Sequence, residues 1–218
     1  MPTLTRTDVE VRSSHLRAFS LPVQAGTKVS LVPEQAVLLA DDHVTLSVRV
    51  GAGRSLEIVE PGGTVAYAMR GRRGRWDVDV EVEAGGRLVW HGEPFVVAEG
   101  AHVSRTTTVA VAEGSRVLLR ETLVLGRTGE GPGRLHTRTD VCRDGVPVLV
   151  EELDSTVGLG PHRVVDQVLE LGGLDRLDQR CPPECLRLES GDLLRRWLGD
   201  ELHRSPLTSR QSSSPSPE

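Results

Sequence analysis

Val48-Arg-Val-Gly-Ala-Gly53-Arg-Ser-Leu56 returns as Val80-Glu-Val-Glu-Ala-Gly85-Gly-Arg-Leu88 and again as Val109-Ala-Val-Ala-Glu-Gly114-Ser-Arg-Val117. A looser copy is Thr139-Asp-Val-Cys-Arg-Asp-Gly145-Val-Pro-Val148. In each copy an alternating apolar run, the mark of a half-buried strand, meets a glycine turn and then a second apolar run. The clearest run is Val44, Leu46, Val48 and Val50 on one face against Thr45, Ser47 and Arg49 on the other. The turn glycines recur about every 30 residues, a period typical of stacked supersecondary units. One strand–turn–strand unit cannot bury its own apolar face, and stacking gives a continuous core. Residues from about 8 to 160 therefore read as layered β structure.

Composition supports a mainly β chain. Only six of 218 residues are aromatic, so the core rests on Val, Leu and Ala, and 23 Gly with 13 Pro supply many turns. After Gly158-Leu-Gly-Pro161 the texture changes. Ser190-Gly-Asp-Leu193-Leu194-Arg-Arg-Trp197-Leu198 places four apolar residues on one helical face behind a Ser or Asp cap, which predicts a short amphipathic helix. The expected organisation is one domain over residues 1–205, its helical part from about 161 to 205, with one or two short helices. Residues 206–218, rich in Ser and Pro, have nothing to bury and read as a disordered tail.

A net charge of -5 with scattered basic residues argues against a nucleic-acid surface. No apolar run approaches the roughly 18 residues of a membrane span and no signal-like stretch opens the chain, so a soluble, cytoplasmic protein is expected. Lys28 is the only lysine and its neighbours do not form a P-loop. His-Glu-x-x-His, Gly-x-Ser-x-Gly and a strand-to-helix Gly-x-Gly-x-x-Gly are also absent.

What remains is polar residues on faces that should be apolar. Glu121 shares a strand face with Val117, Leu119, Leu123 and Leu125, and Glu93 falls in step with Val89, His91, Phe95 and Val97 beside Pro94. A carboxylate so placed must find a partner or be protonated. Two readings stay open for each: an Arg-paired carboxylate locking adjacent layers, or a functional group in a cleft. Asp77, Asp79, Glu81 and Glu83 alternate with Trp76, Val78, Val80 and Val82 as a solvated face. Cys181-Pro-Pro-Glu-Cys185 offers two thiolates to a nickel or zinc ion without completing a site, and its double proline equally suits a rigid turn. With Cys142 the cysteines are odd in number, which argues against a disulfide framework.

Three collinear pieces carry a resemblance: Leu88-Val-Trp90-His-Gly-Glu93-Pro94-Phe-Val-Val-Ala-Glu-Gly100-Ala101, Leu118-Leu-Arg-Glu121-Thr-Leu-Val-Leu-Gly126-Arg127-Thr-Gly129-Glu130, and Arg143-Asp144-Gly145-Val-Pro-Val-Leu-Val-Glu151. Their order and spacing resemble the urease accessory proteins of the D/H type. Leu38-Leu-Ala-Asp41-Asp42-His-Val-Thr-Leu46 and Gly63-Thr64-Val-Ala-Tyr67 extend the likeness, with Ala40-Asp41 where that family has paired glycines. The resemblance implies a helix-like β fold and a non-enzymatic maturation factor. Such a factor binds apo-urease, an F-type accessory protein and a G-type GTPase, and it assists nickel delivery. No cofactor would be permanently bound and nickel would pass transiently. Asp42, Glu93 and Glu121 are then candidates for an ion path, with Arg127 and Arg134 as electrostatic partners. The competing readings are a carbohydrate-active enzyme using Glu93 and Glu121 as an acid/base pair, or a carbohydrate-binding β module; few aromatics are available for sugar stacking.

Overall fold

A computed structural model of the chain describes residues 3–6, 9–34, 38–173 and 185–207. The N-terminal strands are β1 (Thr3–Arg6), β2 (Val9–Ser13), β3 (Leu16–Leu21) and β4 (Thr27–Pro33). The repeated phrases follow as β5 (His43–Val50), β6 (Ser55–Val59) and β7 (Thr64–Ala66), then β8 (Gly74–Val82), β9 (Arg87–His91) and β10 (Phe95–Val97), then β11 (His102–Val111) and β12 (Arg116–Leu125). The last part holds β13 (Arg134–Arg143), β14 (Val146–Asp154), β15 (Val164–Leu171), β16 (Cys185–Arg187) and β17 (Leu193–Gly199). Among the described residues these form two sheets. The first runs β1-β2-β5-β8-β11-β13-β14, and the second β16-β17-β15-β12-β9-β6-β4-β3, with β7 and β10 joined to it beside β12.

The repeat sets the register. β5, β8, β11 and β13 are parallel neighbours that place Val48, Val80, Val109 and Val141 in one row. β6, β9 and β12 are likewise parallel, with Leu56, Leu88 and Val117 in one row. The chain crosses from the first sheet to the second at Gly53, Gly85 and Gly114, which take φ of 65°, 66° and 68°, a region costly for a side chain bearing Cβ. The turns are stitched rung to rung: the Gly53 N–H donates to the Ala84 carbonyl at 2.9 Å and that of Gly85 to Glu113 at 3.2 Å. Inward Val and Leu side chains from both sheets make one core, in a solenoid-like stack.

The fourth copy keeps the strand and changes the turn. Asp144 and Gly145 both have positive φ, 50° and 80°, the signature of a two-residue type I′ hairpin. β14 therefore folds back antiparallel on β13 and stays in the first sheet. Antiparallel strands also close the other boundaries, β2 on β5 and β15 on β12.

The helix expected over Ser190–Leu198 is instead strand β17, antiparallel to β15 and β16. Leu193-Leu194-Arg-Arg-Trp197-Leu198 is too short for a helix stable on its own, and the edge of β15 offers a row of backbone groups that need partners. Asp192, expected as a helix cap, is buried and accepts two bonds from Arg143 at 3.0 Å and one from the Gly172 N–H at 2.8 Å. The one helical turn among the described residues is a 3-10 turn at Leu202–Arg204. No helix among those residues is long and apolar enough to cross a membrane.

Behind the second sheet lies a fully buried carboxylate, Asp166 on β15. Arg120 on β12 donates to both its oxygens, at 3.1 and 3.0 Å, Thr122 Oγ1 donates at 3.0 Å, and Ser205 Oγ donates at 2.5 Å. Ser205 thereby ties the segment after β17 to the sheet. Leaving one buried charge alone costs far more than replacing the pair. Asp166→Leu should lose about 3–5 kcal/mol in urea unfolding, and Arg120→Met/Asp166→Leu should recover most of it. A single variant that unfolds at the parent midpoint would contradict this assignment.

Candidate functional site

Counting from the turn glycines locates the polar interior. Nine residues before them, Val44, Trp76 and Arg105 occupy one row of the first sheet. Seven residues after them stand Glu60, Gly92 and Glu121 on the side of the second sheet. The third rung thus puts a cation where the earlier rungs hold Val44 and Trp76, and a carboxylate where they hold Glu60 and Gly92. The Arg105 Nε donates to Glu121 Oε1 at 2.6 Å across the gap between the sheets. Its guanidinium lies 5.5 Å from the Trp76 ring centre and 5.1 Å from that of Phe95, with those two rings packed edge to face.

From Glu121 a chain of bonds continues. Gln167 sits beside Glu121 in the β15 register, and its Nε2 donates to Glu121 Oε2 at 2.8 Å. Its carbonyl oxygen accepts from Arg196, the next residue in that row on β17, at 2.9 and 2.6 Å. Arg196 then forks onto Glu151 of β14 through both carboxylate oxygens, Nη1 at 2.6 Å. Two ion pairs of opposite sense therefore join the sheets, with the Gln167 amide oriented between them.

Around this chain lies a cavity lined by Glu60, Glu93, Trp76, Trp90, Leu119 and Leu194 among others. It has about 50 Å³ open to the centre of a water-sized sphere, which at roughly 10–15 Å³ each is room for a few waters. Glu60 accepts from Trp90 Nε1 at 2.8 Å and from the Glu93 N–H at 3.2 Å. Burial holds its carboxyl above the usual carboxylate range, the two hydrogen bonds pulling less strongly the other way. Four carboxylates, Glu60, Glu93, Glu121 and Glu151, thus face two guanidinium groups, Arg105 and Arg196. Arg120 also borders the cavity, but its guanidinium is turned to the other face of the sheet and committed to Asp166.

A family model described as UreD urease accessory protein matches residues 16–177. The chain belongs to the UreD urease accessory protein family. It is 49% identical over 160 residues to urease accessory protein UreD 1 of Streptomyces griseus, covering 70% of this chain and 63% of that protein. Identity is 35% over 156 residues to UreD of Streptomyces coelicolor (66% and 61%) and 42% over 146 residues to UreD 1 of Saccharopolyspora erythraea (66% and 56%). This UreD family member spans about 60% of the length of the curated relatives it matches.

The residues singled out in the sequence divide. Glu121 points inward as its alternation predicts, and its partner is Arg105, so the Arg-paired reading describes its contacts. Glu93 lines the cavity from an exposed position, but not in step with the residues assigned to it. The break at Gly92–Pro94 shifts the alternation by one, so Phe95 and Val97 continue the inward face of Leu88 and Trp90 while Val89 and His91 lie opposite. Asp42 accepts from the Leu39 N–H at 2.7 Å in the turn before β5. Arg127 pairs in its loop with Glu130, whose carboxyl it holds down at about 2, and Arg134 is exposed at the start of β13. Neither arginine is the partner of Glu93 or Glu121. Cys185 is disulfide-bonded, contrary to the expectation drawn from the odd cysteine count, and its sulfur is therefore not the thiolate that a metal would need; Cys142 is a free thiol, and Cys181 lies outside the described residues. Among the described residues no three His, Cys, Asp or Glu side chains are grouped to hold a metal ion.

Sequence reasoning missed Arg105, Glu60, Gln167, Arg196 and Glu151. For Arg105 and Glu60 the signal existed in their offsets from the turn glycines. Glu60 also yields a pH dependence. It binds its proton more tightly folded than unfolded, so its favourable contribution is complete below the unfolded carboxyl value of about 4.3 and is lost as pH rises through the raised folded value. Glu60→Gln keeps an acceptor for Trp90 and Glu93 and should be more stable than the parent at neutral pH, with the gap closing as pH falls toward about 4. Urea midpoints across that range check the sign; a Gln variant weaker at neutral pH would refute burial as the cause.

Proposed function

We propose that this chain is a non-catalytic urease maturation factor of the cytoplasm that brings apo-urease together with an F-type accessory protein and a G-type GTPase while nickel passes to the urease active site. The observation carrying this reading is the cavity between the sheets, where carboxylates outnumber the cations that neutralise them. Ni²⁺ is cargo here. Passage favours spaced oxygen donors that hold the ion weakly enough to release it. Glu93, exposed at the wall, would meet the ion first, and Glu60 and Glu121 would hold it inside. Arg105 would act as the resident counter-charge beside Glu121 when no metal is present. A sugar-processing role finds less support, since the open space suits waters or an ion and the cavity rings already pack on each other and on Arg105.

The deciding experiment is co-expression with a urease operon from the same source that lacks only its D-type gene. The parent chain should restore urease activity and bound nickel. Glu121→Gln removes the charge and keeps the shape; it should leave complex formation intact and lower urease nickel several-fold. A variant that is insoluble or fails to bind partners would mark Glu121 as structural, and absence of both complex and activity with the parent chain would end the maturation reading.

A further inference from the structure

Three corners that lead from the second sheet into the next rung lie on one another. The Met69 N–H donates to the Gly100 carbonyl at 2.9 Å and the Arg134 N–H to Ala101 at 2.9 Å. The Tyr67 N–H donates to Leu38 at 3.0 Å and that of Asp41 to Arg73 at 2.8 Å, which brings in the turn before β5. Arg70, Arg73 and Arg134 are all exposed on this corner, with Tyr67 and Leu39 among the exposed large apolar residues of the chain.

The acids nearby are already engaged. Asp41 pairs with Arg72 at 2.5 Å, Glu130 holds Arg127 and accepts from the Glu99 N–H, Glu99 accepts from the Gly131 N–H, and Asp154 is capped by Thr156. Among the described residues no acid pairs with Arg70, Arg73 or Arg134. Several exposed arginines elsewhere meet an acid, Arg12 with Glu10, Arg17 with Glu34, Arg49 with Glu81 and Arg138 with Asp140, whereas Arg87 at the start of β9 has no acid partner among the described residues. A second sign of uncompensated charge is His102, whose protonation is disfavoured by burial and then by Arg73 and Arg134. In a chain of net charge -5 this corner is a local inversion of sign.

We infer that this corner is a docking surface for an acidic protein segment carrying aliphatic or aromatic side chains. Arginine and tyrosine are the residue types that concentrate binding energy at protein interfaces, and Leu39 adds apolar area beside them. Nucleic acid fits less well. Three free cations fall short of the phosphate contacts that sustain such binding, and the next rows of the first sheet's outer face carry Asp79 and Glu81. The inference rests on the maturation reading only for which protein supplies the segment.

A peptide array tiling the urease subunits and accessory proteins of the same operon, with designed acidic-apolar peptides and an oligothymidine of matched charge, is probed with the full chain. Binding to acidic-apolar peptides should weaken with salt and fall about tenfold or more for Arg70→Glu/Arg73→Glu/Arg134→Glu. Arg12→Glu/Arg49→Glu/Arg138→Glu, an equal change of charge elsewhere, should bind like the parent. No binding to acidic peptides, equal loss in both triple variants, or tighter binding of the oligothymidine would overturn the inference. Designed peptides captured through the corner with no operon peptide bound would sustain the surface and count against the maturation reading; operon peptides bound regardless of the corner would do the reverse.

Discussion

The ion pair between Arg105 and Glu121 sets the terms for everything at the C-terminal end of the stack. A cation at a position filled by Val44 and Trp76 in the preceding rungs is tolerable only if it meets an anion across the gap, and Glu121 is that anion. Glu121 has a second oxygen to satisfy, and the β15 register supplies Gln167. An amide that donates on one side must accept on the other, so Gln167 calls for a donor on β17, and Arg196 in turn calls for Glu151. Each step follows from hydrogen-bond capacity. The outcome is a cross-brace: cation on the first sheet to anion on the second, then cation on the second to anion on the first. That brace explains why β17 is a strand. A helix over the same residues would take Arg196 out of the row in which Glu121 and Gln167 stand.

How much of this was legible in the sequence depends on the range of each interaction. The repeat phrases revealed the rungs and even their register, because every unit solves the same local problem with alternating Val and a glycine turn. Glu121 was legible as an inward carboxylate for the same reason. Alternation reports which face a residue takes and is silent on what faces it, so the partner was not legible: Arg105 lies 16 positions away and Gln167 lies 46 away. At Glu93 alternation itself fails, because the break at Gly92–Pro94 shifts the phase between β9 and β10. Asp144-Gly145 is a different lesson. It matched the repeat in its strand, and the turn chemistry of the two left-handed residues sent the chain back along the same sheet.

The cavity is not the most stable way to fill the gap. Packed apolar residues usually hold a fold at least as well as buried ion pairs, and Glu60 is held where its ionised form is disfavoured. Polar interiors that persist against that cost are where function is concentrated. The Arg120–Asp166 pair is instructive by contrast. It is saturated by Thr122 and Ser205, lies on the other face of the same sheet, and joins β12 to β15 while tying down the chain after β17.

Metal transit makes a demand that metal storage does not. A site that assembles three or four donors around Ni²⁺ binds it tightly and releases it slowly, whereas the described residues here gather no such set. Carboxylates already engaged by Arg105 and Arg196 impose a further limit, since a divalent ion must compete with a guanidinium for Glu121 or Glu151. On the proposed role that competition is useful. On that role the guanidinium would return when the ion left, so that the sheets would stay joined and the carboxylate would not be left bare in the gap. The same arrangement compensates Glu121 and Glu151 when no cargo is present, which lessens the penalty that four uncompensated carboxylates would otherwise impose on folding.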